Sequence, residues 1–266
     1  MKKNVLRLFV VGLIWLASCS PLTRVLKNPD INEKYQFALE FYENEDYYRA
    51  GLVFEDLLPN MAGKAEAENV QFYYSYCQYY QNQFDLAAYY FKQFYDTYRR
   101  SDFAEEALYM HAYSNYKATP DYNLDQSNTT KAIETMQDFM NRFPKSSYFE
   151  KAGSIINELR GLLEKKAYSI AKQYHRLRRY QAAVIACDNF QKDFPDSELK
   201  EEVSFIKMEA QYEYAKASIY TMKIERYEET MEYYYYLVDR YPNSEYMKMA
   251  ESYFKNTQRE LYDLNP

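Results

Sequence analysis

Histidine, cysteine and clustered carboxylates do much of the chemistry of proteins, and this sequence uses them sparingly. It has two histidines, His111 and His175, and three cysteines, Cys19, Cys77 and Cys187. The histidines lie too far apart in the repeat register described below to share a site, and His111 sits where a packed, hydrogen-bonded side chain is expected. There is no paired-His zinc spacing, no Cys-x-x-Cys pair, no glycine-rich phosphate loop and no Gly-x-Ser-x-Gly elbow. The acidic pairs Glu105-Glu106, Glu201-Glu202 and Glu228-Glu229 read as solvated helix faces rather than as the paired carboxylates of a glycosidase. Neither catalysis nor a bound metal is expected, which leaves the chemistry of one thiol.

That thiol is Cys19. Ahead of it, Lys2, Lys3 and Arg7 precede an apolar run of nine residues, Leu8 to Leu16, shorter than the about 20 residues that span a bilayer. The run ends in Leu16-Ala17-Ser18-Cys19, which resembles the bacterial lipobox, where small residues admit the peptidase and the cysteine becomes a lipid thioether. Residues 1–18 are then a signal peptide and 19–30 a lipidated linker, and the covalent lipid on Cys19 is the only cofactor-like group expected. Two or more acyl chains hold a protein stably, because each buried methylene contributes about 0.8 kcal/mol. Removing Lys2, Lys3 and Arg7 takes the formal charge from -6 to -9. That balance attracts anionic lipid weakly and offers nucleic acid no footprint. Ser20 stands where an aspartate would, by resemblance, signal inner-membrane retention. Residues 20–24 also lack the acidic run that sends some lipoproteins to the cell surface, so the expected address is the periplasmic face of the outer membrane. Cys77 and Cys187, 110 residues apart, are expected to be free, buried thiols.

The elements that follow are helical. Only 5 glycines occur among 266 residues, against 33 tyrosines and 16 phenylalanines, which argues against sandwiches, barrels and phosphate loops. Four segments end alike, at 97–101, 142–146, 193–197 and 240–244, each with an aromatic residue before a turn and a serine suited to cap the next helix. Ala38, Ser75 and Ala112 are 37 residues apart, as are Tyr42, Tyr79 and Tyr116. A second pattern, aromatic-x-x-small-x-x-x-large-x-x-large, runs through Tyr47, Ala50, Phe54 and Leu57, through Phe84, Ala87, Phe91 and Phe94, and through Tyr180, Ala183, Cys187 and Phe190.

These registers resemble the tetratricopeptide repeat and imply an all-α superhelix of about five helix pairs, 31–62, 63–100, 101–145, 146–196 and 197–242, with a closing helix at 243–262. The prolines are expected at repeat ends, in the linker or in a loop, and none inside a helix. An eight-residue insertion falls within 118–128, and the first helix of repeat four is expected to be about four turns longer than usual, with Gly161 a weak point.

A repeat array presents the first helix of each pair on one face. Counted from the small residue, the inward positions of repeats one to three are Tyr35, Leu39, Tyr42, Phe72, Tyr76, Tyr79, Tyr109, Tyr113 and Tyr116. Eight of the nine are aromatic and would suit an extended apolar or aromatic peptide. A tyrosine-rich chain also packs its seams with tyrosine, as the run Tyr233 to Tyr236 illustrates, so these positions either line a groove or fill the array.

The lipobox, the linker, the five repeats and three segments, AEEALYMHAYSNYK at 104–117, LDQSNTTKAIETMQDFMNRFPKSSY at 124–148 and ERYEETMEYYYYLVDRYPNSEYMKMAESYF at 225–254, together resemble the BamD family, lipoproteins of the outer-membrane β-barrel assembly machinery. Arg99 replaces the turn proline of repeat two, and Met61 the capping serine after repeat one. The resemblance implies a non-enzymatic role in outer-membrane protein assembly. Repeats one to three (31–145) would bind unfolded outer-membrane proteins through a C-terminal signal ending in an aromatic residue. Repeats four and five with the closing helix (146–262) would dock on a periplasmic domain of BamA, beside the other subunits of the complex. A scaffold or pilotin for a pilus, secretion or cell-wall complex would share the anchor and the repeats, and an enzyme would need a clustered acid/base site with perturbed pKa values.

Overall fold

The computed structural model of the protein describes residues 21–61, 63–64 and 66–265; the leader, the lipobox and Cys19 lie outside them. Among the described residues there are twelve helices and no strand: α1 (Pro21–Leu26), α2 (Ile31–Glu43), α3 (Tyr47–Met61), α4 (Ala67–Tyr80), α5 (Phe84–Thr97), α6 (Ala104–Lys117), α7 (Ser127–Arg142), α8 (Phe149–Arg176), α9 (Tyr180–Asp193), α10 (Lys200–Lys216), α11 (Tyr220–Arg240) and α12 (Met247–Leu264). No described helix is long and apolar enough to cross a membrane.

The small residues of the register are where helices cross. Ala38, Ser75, Ala112, Ala171, Ala50, Ala87, Ala132 and Ala183 are all fully buried, because a bulkier side chain would hold the backbones apart. Ser75 keeps its hydroxyl satisfied by donating to Gln71 O of its own helix at 2.8 Å. The large residues spaced from them, Phe54, Leu57, Phe91, Phe94, Cys187 and Phe190, form the buried seams. Gly51 permits a close approach of α3 to α4: a Cβ there would lie 3.4 Å from Cys77 Cβ and 3.3 Å from Gln81 Nε2.

Two kinds of turn join the helices. Within repeats one, two and four, Glu45, Asn82 and Arg178 adopt φ of 59°, 60° and 56°. The following amides, Asp46 N, Gln83 N and Arg179 N, reach back to Phe41 O, Gln78 O and Tyr174 O at 2.8, 2.9 and 2.9 Å, a Schellman-type closure that glycine usually serves. Between repeats the four serines act, though not as helix caps. Ser101, Ser146, Ser197 and Ser244 accept from Phe103 N, Tyr148 N, Leu199 N and Tyr246 N at 2.9–3.1 Å. Each helix then begins three residues after its serine, so the hydroxyl closes the preceding turn. Repeat two makes this turn with Arg99 in place of proline, Ser101 N meeting Tyr98 O at 3.0 Å.

Other expectations are corrected, and the extra length of the first helix of repeat four is met. Pro59 lies inside the last turn of α3; there it removes a single hydrogen bond to Glu55 O, and buried Met61 anchors the turn beyond it. The linker is partly helical: Pro21 opens α1, whose Val25 is buried against the first repeat, while Lys34 Nζ donates to Leu26 O at 3.1 Å. α8 is one unbroken helix of 28 residues, twice the 14 of α4 or α6 and so longer by about four turns. Gly161 has open space around it and causes no break.

The chain divides into two compact units, residues 21–120 with 127–156, and 121–126 with 157–265. The division falls inside α8, not at 145/146 where the repeat count placed it. The reason is that the start of α8 closes the first unit: Tyr148 stacks on Tyr109 at 4.2 Å, and Lys151 Nζ lies 4.8 Å from the Tyr113 ring centre. In the second unit α8, α9 and α10 share a core of Ala171, Cys187, Phe190, Val203 and Ile206. The insertion, residues 118–126, runs between α6 and α7. Its Tyr122 and Leu124 belong to the second unit through Lys165, 4.2 Å from the Tyr122 ring centre, and through Lys166 Nζ, which donates to Leu124 O.

Candidate functional site: an aromatic ladder and a charged groove

In the first unit the nine inward positions separate into three groups. Phe72 and Tyr109, 5% and 3% exposed, do not line a surface. The aromatic residue two past each turn serine covers them, Phe103 stacking on Phe72 at 4.5 Å and Tyr148 on Tyr109 at 4.2 Å. Tyr35 and Leu39 are half-buried against the first-repeat core, Tyr35 edge-on to Phe54 at 6.4 Å. The remaining five, Tyr42, Tyr76, Tyr79, Tyr113 and Tyr116, are half-buried and connected.

Tyr80 makes the connection. It lies 6.4 Å from Tyr42, 5.7 Å from Tyr76, 5.5 Å from Tyr79 and, stacked, 4.3 Å from Tyr47. Tyr79 continues to Tyr113 at 6.2 Å, and Tyr113 to Tyr116 at 5.6 Å. The result is a ladder of tyrosines across α2, α3, α4 and α6, with the ammonium of Lys151 at its far end. Counting from the small residue missed Tyr80, Tyr47 and Lys151. Tyr80 had a signal, since it is five residues past Ser75 on the rim of the same face, whereas Lys151 had none because only the tertiary fold brings α8 to Tyr113.

Burial holds the Tyr42 and Tyr76 hydroxyls well above the ordinary tyrosine range. The Tyr76 hydroxyl donates to Glu106, and Ser146 Oγ donates to Glu105 Oε1 at 2.6 Å. These carboxylates were expected on a solvated face; instead, from the first turn of α6, Glu106 ties to α4 and Glu105 to the turn ahead of α8. Tyr109 carries a buried hydroxyl with no hydrogen-bond partner among the described residues. His111 is buried, its Nδ1–H donating to Ala88 O at 2.7 Å. Burial holds its pKa below 6.5, so it is a neutral packing residue at pH 7. Cys77 and Cys187 are free and buried, and burial pushes both thiols up to about 12.

The second unit holds a groove of about 710 Å³ between α8 and α10. Lys165, Lys172, His175 and Arg176 come from α8, Glu202, Phe205, Ile206 and Glu209 from α10, and Tyr122 and Tyr246 complete the lining. Counting from Ala171 as in the earlier repeats would have picked out Tyr168, Lys172 and His175. Ion pairs cross the floor. Lys172 Nζ meets Glu202 Oε1 at 2.9 Å and Tyr168 Oη at 2.8 Å, and Tyr168 donates to Glu202 Oε2 at 2.5 Å. His175 Nε2 meets Glu209 Oε2 at 3.2 Å, while Tyr253 donates to Glu209 Oε1 at 2.6 Å.

The hydrogen bond from His175 holds Glu209 below the usual carboxylate range. Glu202 is also lowered, because the Tyr168 and Lys172 contacts outweigh the opposing effect of burial. A carboxylate so held is ionised at neutral pH, is a weak base, and has no proton to give. The groove therefore has the residue types of an acid/base site and the proton affinities of structural ion pairs. Among the described residues no three His, Cys, Asp or Glu side chains gather as a metal-binding set.

A comparison with curated proteins finds no match. A family model described as YfiO, outer membrane lipoprotein, matches residues 27–225, about three quarters of the chain, covering the ladder and every residue of the groove lining except Tyr246. The all-α repeat fold and this match together make the chain a member of the YfiO family of outer membrane lipoproteins.

Proposed function

We propose that the protein is a lipid-anchored scaffold on the periplasmic face of the outer membrane, tethered by acyl chains on Cys19, that binds unfolded outer-membrane proteins during β-barrel assembly. The single observation that carries this reading is the tyrosine ladder with Lys151 beside it. Tyrosines give large contact area with few rotors to freeze, and their hydroxyls bond a peptide backbone. A chain ending in an aromatic residue would lay its ring against Tyr79 and Tyr113 and its terminal carboxylate toward Lys151, 4.8 Å from the Tyr113 ring centre.

Following the resemblance to the BamD lipoproteins, the part of the chain from repeat four onward docks on the periplasmic domain of BamA. No catalytic step is assigned to either unit. The membership in an outer membrane lipoprotein family supports the location, and the ladder supports the peptide ligand.

Two measurements test this. Co-purification from detergent-solubilised envelopes should recover BamA; recovery of a pilus or secretion component instead would favour the other scaffold reading. Replacing Tyr42, Tyr79 and Tyr116 together by alanine should keep the helical circular dichroism while weakening binding of a peptide with a C-terminal phenylalanine. Unchanged affinity would make the ladder packing alone.

A further inference from the structure

We propose that the groove between α8 and α10 is a second peptide site, one that takes an internal, extended segment in which acidic and aromatic side chains alternate. It does not rest on the ladder, since every residue lining it belongs to the second unit. Its volume of about 710 Å³ is that of a ligand site. Its two walls differ in a way that selects the ligand.

The α8 wall is cationic. Lys165, Lys172 and Arg176 are spaced by seven and four residues and share one helical face. Three fixed cations face two carboxylates here, a local excess of positive charge on a chain of net charge -6. Arg176 is exposed and, among the described residues, makes no ion pair, hydrogen bond or ring contact. Lys172 is half exposed in its pair with Glu202. An exposed pair of that kind is weak, so an incoming carboxylate can share the ammonium.

The α10 wall is apolar at its centre, where Phe205 and Ile206 lie buried between Glu202 and Glu209 and Tyr246, stacked over Phe205 at 5.0 Å, is the partly exposed platform. In an extended chain, side chains on one side repeat every roughly 6.6 Å. The rise from Lys172 to Arg176 along α8 is about 6 Å. Two acidic residues separated by one can thus meet both cations, while the residue between them points at Tyr246. Glu202 and Glu209 repel a carboxylate placed on that side, which fixes the register.

The insertion also gains a role. Tyr122, held over by Lys165 at 4.2 Å, closes one end of the groove. The other end continues past His175 and Glu209 to Arg178 and Glu213 through a further 420 Å³. An open end suits a segment within a chain better than a terminus.

The test is fluorescence anisotropy on the full-length lipoprotein in detergent, with a fluorescein-labelled, C-terminally amidated peptide Gly-Asp-Phe-Asp-Phe-Asp-Gly. The expected result is saturable binding, lost when lysine replaces aspartate in the probe. Arg176→Glu should weaken it about tenfold or more, the loss expected on reversing a contacting charge, and Tyr122→Ala should weaken it about threefold, with far-ultraviolet circular dichroism unchanged in both. Absence of binding, equal binding of the lysine peptide, or an Arg176→Glu affinity within twofold of the parent would overturn the proposal. So would an affinity that falls instead in Tyr113→Ala, which would put the peptide on α6.

Discussion

The two units share a packing device and differ in what surrounds it. In the first, Phe103 covers Phe72 and Tyr148 covers Tyr109; in the second, Tyr246 covers Phe205. In each case the covering ring stands two residues past a turn serine, and the covered ring is at the same place on the first helix of a repeat. Around this device the first unit sets uncharged tyrosines, and the second sets cations on α8 against carboxylates on α10. Shared backbone geometry is thus maintained by one set of positions, while neighbours three or four residues away are left to vary the chemistry of the face.

The largest effects should come from the shared device. Tyr109→Ala and Phe205→Ala each remove a covered ring, and each should cost about 3 kcal/mol in urea unfolding. Tyr113→Ala and Lys172→Ala, on the variable faces, should each cost less than about 1 kcal/mol. If Tyr113→Ala proved as costly as Tyr109→Ala, the division between covered and facing rings would fail. Tyr109→Phe sharpens the point, because its buried hydroxyl has no partner among the described residues and its removal should be neutral or stabilising by up to about 1 kcal/mol.

Much of this was legible in the residues. Burial at Ala38, Ser75, Ala112, Ala50 and Ala87 follows from period and size alone, since only small side chains let helices cross closely. The left-handed turns were not legible, because Glu45, Asn82 and Arg178 occupy them without the glycine that would mark them. Nor was the unit boundary, because an unbroken helix such as α8 leaves no trace in composition where its neighbours change. The groove was half legible: the register reaches Tyr168, Lys172 and His175, but Glu202 is 30 residues beyond Lys172, and only folding shows that they pair. The same holds for Glu106 and Tyr76, also 30 residues apart.

The units should also separate on acidification. His111 has its folded-state pKa below the ordinary 6.5 through burial, opposed by the bond to Ala88 and reinforced by Lys92 and Lys131, with Asp138 acting the other way. The unfolded chain therefore binds the proton first, and the stability present above pH 6.5 is lost as pH falls from there through the lowered value. Glu209 is lowered from 4.5, so its contribution persists until pH falls below that and is lost through its own lowered value. Hydrogen exchange of α5 and α6 amides, corrected for intrinsic rates, should show protection falling between pH 6.5 and 5 while α10 holds. Simultaneous loss in both units would mean that His111 does not govern the first.

The last contrast is between the turns, and it predicts a gain. A non-glycine residue with φ near 59° costs about 1–2 kcal/mol of backbone strain, less for asparagine, whose side chain tolerates that region. Glu45→Gly relieves the strain but adds entropy to the unfolded chain, so the net expected stabilisation is about 0.5–1 kcal/mol. Asn82→Gly at the equivalent turn should gain only a few tenths of a kcal/mol. Denaturant midpoints read through α2 and α4 amides distinguish the two. Equal gains would show that the second turn is as strained as the first, and that the difference between glutamate and asparagine in the same Schellman closure has no energetic meaning here.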